Sequence, residues 1–400
     1  MSNTSVIENS FNFSPLHDAM QSYVDKELFS GISSAVLVGQ DLVDVHCAGL
    51  ADREANIALR DDHIFRVFSN TKLVTSMAVL MLLEEGHFAL DDPIEKYIPQ
   101  LGNRQVLRPG ATDGNDTEPA KSSITIRQLM THTSGLSYGF LDPGTLIFSL
   151  YAKSGVNNVA TPLSGMIDAL EDLPLVFHPG TSWEYSLATD VLGRFVEIIS
   201  GQSLDVFFQN RIFAPLNMVD TGFWCPPEKQ DRLAAYYSGS SVMEPMLSGL
   251  TRADNSPYPD AFLKPFPRLS GGGGLVSTLP DMISLIRSLI PGGPALLKPD
   301  TMALMATNQL PDGQNIRFAG VGEMPGRGHG LAGSVIQKPF SHESSNVKGD
   351  LWWGGIAGTQ WWVSPTNNVA GIVMTQRVMG FAHPFAADLK NRVYDAVVQG

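Results

Sequence analysis

One stretch of the sequence decides the fold. It reads Phe65-Arg-Val-Phe-Ser-Asn-Thr-Lys-Leu-Val-Thr-Ser-Met-Ala-Val-Leu-Met-Leu-Leu-Glu-Glu-Gly86. The first four residues are β-like. The part from Lys72 to Glu85 is apolar almost all round, as in a helix that is buried on most of its faces. Gly86 is the residue type that commonly ends helices. The stretch therefore predicts a strand that leads directly into a core helix.

Ser69 and Lys72 stand at the point where this helix begins. Residues three apart share a helix face, so the Lys72 amine can reach the Ser69 hydroxyl. A serine hydroxyl attacks only after a base takes its proton, and a lysine serves as that base when burial lowers its pKa. The positive helix N-terminus favours the resulting anion. Alternatively, Lys72 pairs with a carboxylate on the helix surface, and periodicity alone weighs the two readings equally.

Two other serines match catalytic patterns by their letters only. Ser345-Asn-Val-Lys348 repeats the S-x-x-K spacing, but it lies in a polar run that predicts a loop. Gly135-Leu-Ser-Tyr-Gly139 matches the G-x-S-x-G elbow, which needs a strand before the serine and a helix after it. Here a helix-like segment, 126–133, precedes the motif, and Asp142-Pro-Gly follows it. Ser137 is therefore predicted to be a loop serine.

Composition excludes several classes of function. The 400 residues are 43% hydrophobic and carry a formal net charge of -13, so a nucleic-acid partner is not expected. The two cysteines, Cys47 and Cys225, form no zinc-ligand pattern and are interpreted as reduced thiols. The first residues lack a secretory signal, and the apolar runs are too short to span a bilayer. These features predict a cytoplasmic protein without a membrane partner; its oligomeric state is left open.

Strand-like segments lie at both ends of the chain. A helix over 15–28 and a hairpin near 34–46 come first, and strands near 352–353, 359–363 and 369–375 come late. Between them the pattern is helical with many loops, and the proline-rich run 257–267 resembles a linker. Gly271-Gly-Gly-Gly precedes a helix at about 280–290. We predict an α/β domain from residues 1–90 plus 268–400, a mostly helical inserted subdomain at 91–267, and the active site between them.

Four blocks resemble the class C β-lactamase-like serine hydrolases, a superfamily that includes penicillin-binding proteins, DD-peptidases and family VIII carboxylesterases. The likeness extends from about residue 15 to the C-terminus. Its blocks stand in the expected order: Ser69-Asn-Thr-Lys72, Leu90-Asp-Asp-Pro-Ile-Glu-Lys-Tyr-Ile-Pro99, Ile126-Arg-Gln-Leu-Met-Thr-His-Thr-Ser-Gly-Leu136 and Pro179-Gly-Thr-Ser-Trp-Glu-Tyr-Ser186. The resemblance implies a central antiparallel sheet flanked by helices.

The resemblance also implies roles for single residues. Ser69 matches the acylated serine, Lys72 its partner lysine, and Tyr185 the tyrosine of the family's Y-x-N block. Such a tyrosine can pass a proton between the serine and the leaving group. Without the resemblance, Tyr185 would be interpreted as a buried core tyrosine. The backbone N–H groups of Ser69 and Ile356 are expected to form the oxyanion hole.

The sequence departs from the lactamase pattern at two places. Trp353-Gly354-Gly355 stands where lactamases have K-T-G, and Leu187 replaces the asparagine of Y-x-N. The W-G-G form is similar to that of family VIII carboxylesterases. The glycines would leave the strand edge open to a substrate carbonyl, and Trp353 would form an apolar wall unless it is only a packed strand aromatic. Tyr138 is expected to line the same pocket.

Together these features predict a carboxylesterase that cleaves small, short-chain esters through an acyl-enzyme on Ser69, without metal or cofactor. An amidase, peptidase, β-lactamase or acyltransferase on the same scaffold is the nearest alternative, and a non-catalytic binding module is the alternative from another class. Without the K-T-G lysine, either Lys72 or Tyr185 can be the main base. Long acyl chains are disfavoured if the helical insertion narrows the pocket.

Overall fold

The helices and strands are taken from a computed structural model that describes residues 5–139, 143–318, 322–382 and 384–398. Its α-helices are α1 (Ser14–Asp25), α2 (Thr71–Glu84), α3 (Ile126–Met130), α4 (Leu146–Ser154), α5 (Leu163–Glu171), α6 (Ala188–Ser200), α7 (Leu204–Phe208), α8 (Leu279–Arg287), α9 (Pro299–Ala306) and α10 (Phe385–Val397). Its strands are β1 (Gly31–Val38), β2 (Asp41–Asp52), β3 (Ile57–Ala58), β4 (Ile64–Arg66), β5 (Gln105–Leu107), β6 (Thr117–Pro119), β7 (Tyr237–Gly239), β8 (Leu250–Arg252), β9 (Val276–Thr278), β10 (Arg317–Phe318), β11 (Gly322–Glu323), β12 (Arg327–His329), β13 (Ser334–Ile336), β14 (Leu351–Gly354), β15 (Gln360–Ser364) and β16 (Val369–Thr375).

An antiparallel sheet of eight strands is the centre of the fold, in the order β12-β13-β14-β15-β16-β1-β2-β3. Both ends of the chain supply it, because β1 pairs with β16 from Ile32 opposite Thr375 to Val38 opposite Val369. The predicted hairpin is confirmed: β1 and β2 are joined at Gly39, whose φ of 57° is a conformation that favours glycine. The predicted α/β fold class, with its antiparallel sheet and flanking helices, is therefore confirmed.

Helices cover both faces of the sheet, because side chains alternate along each strand. On β1, Ile32 and Val36 pack with α1 and α10, in a cluster that includes Met20 and Phe385. Ala35 and Leu37 point the other way, into the larger cluster that contains α2 and α8. That larger cluster continues without a break into α3, α5 and α6. The sheet therefore lies between two layers of helices.

The middle of the chain is helical, with two short hairpins, β5–β6 and β7–β8. Its proposed separation as a subdomain at 91–267 stays a prediction. The proline-rich run 257–267 is more than a linker, since Phe262 is buried and packs against Phe68 with ring centroids 5.4 Å apart. Cys47 and Cys225 are both free thiols. No helix among the described residues is long and apolar enough to cross a membrane.

The stretch 65–86 forms the predicted strand and helix, with one difference. β4 pairs with β9, and a 3₁₀ turn, Phe68–Asn70, separates it from α2. Ser69 therefore lies in this turn, two residues before α2 begins, rather than in the helix itself. Phe68 has a φ of +43°, which costs a bulky residue on the order of 1 kcal/mol, and strain of this kind clusters at functional sites. Gly86 ends the helix with a φ of 79°.

Candidate active site

A large cavity opens in front of Ser69. Its volume is about 1230 Å³, above the roughly 300–1,000 Å³ usual for small-molecule sites, and its wall is mainly apolar. The 3₁₀ turn, the start of α6, the end of β14 and the run 257–267 all contribute to the wall. The expected exclusion of long acyl chains depends on how narrow the pocket is beside Ser69, and it stays a prediction.

Ser69 and Tyr185 line this cavity, and both Tyr185 and Lys72 contact Ser69 Oγ, so the structure brings the three predicted residues together. The Tyr185 hydroxyl donates a hydrogen bond to Ser69 Oγ at 2.7 Å, although the two residues are 116 positions apart. Lys72 is the second residue of α2, and its Nζ lies 3.4 Å from the same oxygen. Ser69 and Tyr185 are half-buried, whereas Lys72 is 4% exposed. The serine oxygen therefore has two proton-carrying groups within reach, and the tyrosine is the closer of them.

Lys72 is surrounded by acceptors and aromatic rings. Besides Ser69, its Nζ donates to the Gly272 carbonyl at 2.6 Å and to the Tyr138 hydroxyl at 3.1 Å. Three acceptors match the three N–H bonds of a protonated amine. The Tyr185 and Tyr138 rings lie 4.7 and 5.6 Å from Nζ, within the range of cation–π attraction. The buried amine is thus held in one position with its hydrogen-bonding capacity used.

Several aromatic side chains pack around the Tyr185 ring. Its ring centroid is 5.4 Å from Trp353, 5.6 Å from Phe318 and 5.0 Å from His132. Burial lowers the pKa of His132 well below its usual value, and the neighbouring His329 and Lys72 lower it further. Burial likewise lowers the pKa of His329 to about 4. Both imidazoles are therefore neutral at pH 7, and they add no cation beside Lys72.

The end of β14 is pressed against the chain just before Ser69. A Cβ on Gly355 would collide with Thr359 Oγ1 and lie 2.5 Å from the Val67 carbonyl oxygen. The Thr359 hydroxyl also donates to that carbonyl. A glycine is therefore required at position 355 because the end of β14 packs closely against the turn that carries Ser69. The sequence predicted a glycine here for a different reason, namely access of the substrate to the strand edge. The same packing brings Ile356 and Ser69 to one wall of the cavity.

The other predicted pocket residues also line the cavity. They are Tyr138, Trp353 and Gly354, and Leu187 lies there too. Trp353 is 4% exposed and belongs to the hydrophobic core. It is therefore both a packed strand aromatic and a part of the apolar cavity wall. Burial raises the pKa of the Tyr138 phenol well above its usual value, and the neighbouring Tyr185 and Asp190 raise it further. Tyr138 therefore does more than line the pocket, because its hydroxyl accepts a hydrogen bond from Lys72.

Sequence reasoning missed Asp190, Ser270 and Gly272, which form the wall next to Lys72. The Ser270 hydroxyl donates to Asp190 Oδ1 at 2.6 Å, and the Gly272 N–H donates to the same oxygen at 3.2 Å. A signal was present in the sequence: Asp190 is a carboxylate within the buried face of α6, next to Val191 and Leu192. A buried charge on an apolar helix face calls for a partner.

The two decoy serines lie elsewhere. Ser137 is a buried loop residue whose hydroxyl donates to Glu184 Oε1 at 3.1 Å, and α3 rather than a strand precedes it. Asp142, used to exclude a helix after it, lies outside the described residues. Ser345 and Lys348 are exposed: Ser345 begins a 3₁₀ turn, Ser345–Val347, and Lys348 directly follows it. Among the residues that the structure describes, no group of three His, Cys, Asp or Glu side chains is placed to hold a metal ion.

An antiparallel sheet between helical layers, with Ser69 and Lys72 at the entry to a buried helix, defines the penicillin-binding-protein and β-lactamase-like class of proteins. A family model described as Beta-lactamase matches residues 16–394, so the chain belongs to that family. Esterase EstB of Burkholderia gladioli is 32% identical over 86% of this chain and 86% of its own length. Acyltransferase calJ of Penicillium decumbens is 31% identical over 83% of this chain and 80% of its own length.

Among solved structures, EstCE1, described as a hydrolase with promiscuous acyltransferase activity, matches with a TM-score of 0.79. The match covers 95% of this chain and 97% of EstCE1 at 23% identity, so this likeness speaks to the fold alone. These comparisons confirm the family and fold that the sequence motifs predicted.

Proposed function

We propose that the protein is a serine carboxylesterase that cleaves small neutral esters through an acyl-enzyme on Ser69. The observation that carries this proposal is the 2.7 Å hydrogen bond between Tyr185 and Ser69, with Lys72 beside it, at the wall of a mainly apolar cavity. A nucleophile within hydrogen-bonding reach of a base, which a third group orients, is the arrangement of covalent catalysis. The relatives named as esterases support the same reaction.

Acylation begins from the form of the Tyr185–Lys72 pair that has lost one proton to solvent, so that the Tyr185 oxygen accepts the hydrogen bond from Ser69. Ser69 Oγ then attacks the ester carbonyl carbon and gives its proton to this pair. The carbonyl π electrons move to oxygen, and the N–H groups of Ser69 and Ile356 hold that oxyanion. When the C–O bond breaks, the electron pair leaves with the alcohol oxygen, which takes the proton back. Water then repeats the sequence on the acyl-enzyme, releases the acid and restores Ser69. Each proton transfer of this kind commonly contributes about 10²–10⁴ in rate.

Tyr185 is the group that transfers the proton directly, because its oxygen is closer to Ser69 Oγ than Lys72 Nζ is, by 2.7 Å against 3.4 Å. Lys72 stabilises the phenolate through its position 4.7 Å from the tyrosine ring centroid. This assignment requires no second cation, so the missing K-T-G lysine is not needed for it.

Specificity follows from the wall opposite Ser69. Trp353 and Leu187 are apolar where lactamases carry a lysine and an asparagine. Lys229 and Arg268, which also line the cavity, are committed elsewhere: Lys229 pairs with Asp220 at 2.9 Å, and Arg268 donates to carbonyls of residues 156–161. A substrate carboxylate would lose its hydration without gaining a partner. Neutral esters carry no such cost.

A second activity, acyl transfer to an alcohol, is favoured by the size of the cavity. About 1230 Å³ can hold an acyl group on Ser69 and an alcohol acceptor at the same time. The relative named acyltransferase calJ supports this possibility. The alcohol oxygen would take the place of water in deacylation, forming a new ester and returning its proton through Tyr185. We further propose that the protein works in the cytoplasm on small-molecule esters.

The test is hydrolysis of p-nitrophenyl butyrate by Ser69→Ala and by the matched variant Ser137→Ala. The first change should abolish turnover, and the second should leave most of it. A fluorophosphonate probe followed by peptide mass spectrometry should place the adduct on Ser69. An adduct on Ser137, or full turnover by Ser69→Ala, would overturn the proposal. Addition of 1-butanol, with the ester product measured, tests acyl transfer.

A further inference from the structure

The glycine run Gly271–Gly274 lies against the start of α2. Its carbonyls face the helix: Thr75 Oγ1 donates to the Gly271 carbonyl at 2.7 Å, and Lys72 Nζ donates to the Gly272 carbonyl at 2.6 Å. The catalytic mechanism above gives this run no task. Yet the Gly272 contact is the shortest that Lys72 makes among its recorded hydrogen bonds. The position of this carbonyl therefore bears directly on the position of the amine.

Asp190 holds the glycine run from the other side. Both of its hydrogen bonds, from the Ser270 hydroxyl and the Gly272 N–H, end on the same oxygen, Oδ1. Its other oxygen, Oδ2, and the Tyr138 hydroxyl both lie beside Gly272: a Cβ placed on Gly272 would lie 2.6 Å from Oδ2 and 3.2 Å from the Tyr138 hydroxyl. The lack of a side chain at Gly272 therefore leaves room for both groups next to the loop. Both Gly272 and Tyr138 in turn contact Lys72 Nζ.

We propose that Asp190 is the positioning residue for Lys72: it anchors Ser270–Gly272 so that the Gly272 carbonyl meets the amine, and it supplies the nearby negative charge. This inference rests on the proposed function, because it assigns a role within the same reaction. Asp190 does not contact Ser69 Oγ and takes no proton from the substrate. It acts through Gly272 and Tyr138.

The charges around this group are few. Asp190 faces Lys72 through Gly272, and the cation of Arg268 lies near enough to interact with it, although the Arg268 guanidinium donates to other carbonyls. On the other side of Lys72 stand His132 and His329, which burial keeps neutral at pH 7. In the described residues around Lys72, Asp190 is therefore the carboxylate joined to it through hydrogen bonds.

The negative charge of Asp190 shifts the loss of a proton in the same direction whether Lys72 or Tyr185 is the base. A carboxylate nearby favours the protonated form of the Lys72–Tyr185 pair, whichever of the two carries the proton. Removing that negative charge makes loss of the proton easier. The acid limb of kcat/KM, which reports formation of the base in the free enzyme, must then move to lower pH.

The decisive variant is Asp190→Asn. Its amide oxygen can accept both bonds that now end on Oδ1, so the loop keeps its anchor and loses only the charge. With p-nitrophenyl butyrate, we expect the acid limb of kcat/KM to move down by about one pH unit, within the range of shifts caused by one neighbouring charge.

Ser270→Ala keeps the charge but weakens the anchor, so it should lower kcat several-fold and leave the limb in place. Asp44→Asn is the matched control, because Asp44 is a buried carboxylate on β2 that is hydrogen-bonded to His17 of α1, and this change should leave kcat and the limb unchanged.

An acid limb that Asp190→Asn leaves unmoved would overturn the charge role, and an unchanged kcat in Ser270→Ala would overturn the positioning role. A general loss of stability would lower the amount of active enzyme without moving the limb, so melting temperature is measured beside each profile. Failure of the proposed function looks different, since turnover would then survive Ser69→Ala. Failure of this inference occurs in an enzyme that still requires Ser69.

Discussion

Tyr185→Phe removes one oxygen atom from the reacting group and little else. The ring keeps its contacts with Trp353, Phe318 and His132, so the site should keep its shape. The lost hydrogen bond to Ser69 is worth about 1 kcal/mol of stability, which for a chain of this length lowers the melting temperature by about 1 °C. The variant should therefore fold as the wild type does.

The effect on turnover should be far larger. The lost hydroxyl is the group closest to Ser69 Oγ, at 2.7 Å, and proton transfer commonly supplies about 10²–10⁴ in rate. At about 1.4 kcal/mol for each factor of ten, the transition state loses about 3–5 kcal/mol. The assay is kcat and KM on p-nitrophenyl butyrate, with circular dichroism and thermal melting on the same samples. Lys72→Ala should cost a similar factor, and the double variant should be no worse than the poorer single one, because the two act as a unit.

Tyr151→Phe is the matched control for this change. Tyr151 is also buried, but its hydroxyl accepts from the Ser137 N–H at 3.1 Å, away from Ser69. Its loss leaves a buried donor unpaired, at a cost of about 1–3 kcal/mol of stability, while kcat should stay within about threefold of the wild type. The two variants thus separate activity from stability. A Tyr185→Phe enzyme with near-full kcat would show that the proton travels by another route.

Three further predictions concern specificity, packing and pH. The value of kcat/KM for p-nitrophenyl butyrate should exceed that for a chromogenic cephalosporin by about three orders of magnitude or more, because the two cations that line the described part of the cavity, Lys229 and Arg268, are already paired and do not offset the cost of burying the carboxylate; comparable values would refute the role given to Trp353. Gly355→Ala should lower stability by about 1–3 kcal/mol and reduce kcat as well, since its Cβ would displace Val67 and the turn that carries Ser69, and urea unfolding with steady-state kinetics checks both. Burial raises the pKa of Asp281 to about 6, above its unfolded value, so this group costs stability increasingly as pH rises through the interval from about 4 to 6. Asp281→Asn should gain up to about 3 kcal/mol on the wild type between pH 4 and 7.5, and equal slopes of unfolding free energy against pH would contradict this.

Local patterns made part of this protein predictable. Ser69 and Lys72 are three residues apart where a 3₁₀ turn runs into α2, so their contact depends on helical spacing over a short stretch of chain. The buried helix α2 and the β1–β2 hairpin follow in the same way from apolar periodicity and turn chemistry. The bounds of α2 agree with the expected ones to within one residue, whereas β1 begins earlier than expected, at Gly31, and β2 continues beyond the expected end, to Asp52. The failed elbow context of Ser137 was also readable, because strand, loop and helix signals are local properties of the chain.

Tyr185 shows the limit of that reasoning. It meets Ser69 across 116 residues, and nothing in its immediate sequence distinguishes it from a core tyrosine. Its assignment came from the resemblance of whole blocks, which carries information about distant contacts that periodicity does not. The backbone of Phe68 likewise has a positive φ that no local preference of phenylalanine predicts, and packing against Tyr236 and Phe262 accompanies it.

The sequence by itself thus determined the class of fold, the serine and its lysine, and the apolar residues that replace the lactamase lysine and asparagine. Only the tertiary structure decided how large the pocket is and what surrounds the lysine. The pocket is formed where the run 257–267, α6 and β14 meet, and the Lys72–Gly272–Asp190 chain joins residues 200 and 82 positions apart. Cavity size and buried hydrogen-bond networks depend on how distant segments pack against each other, and that packing leaves no periodic trace in the sequence.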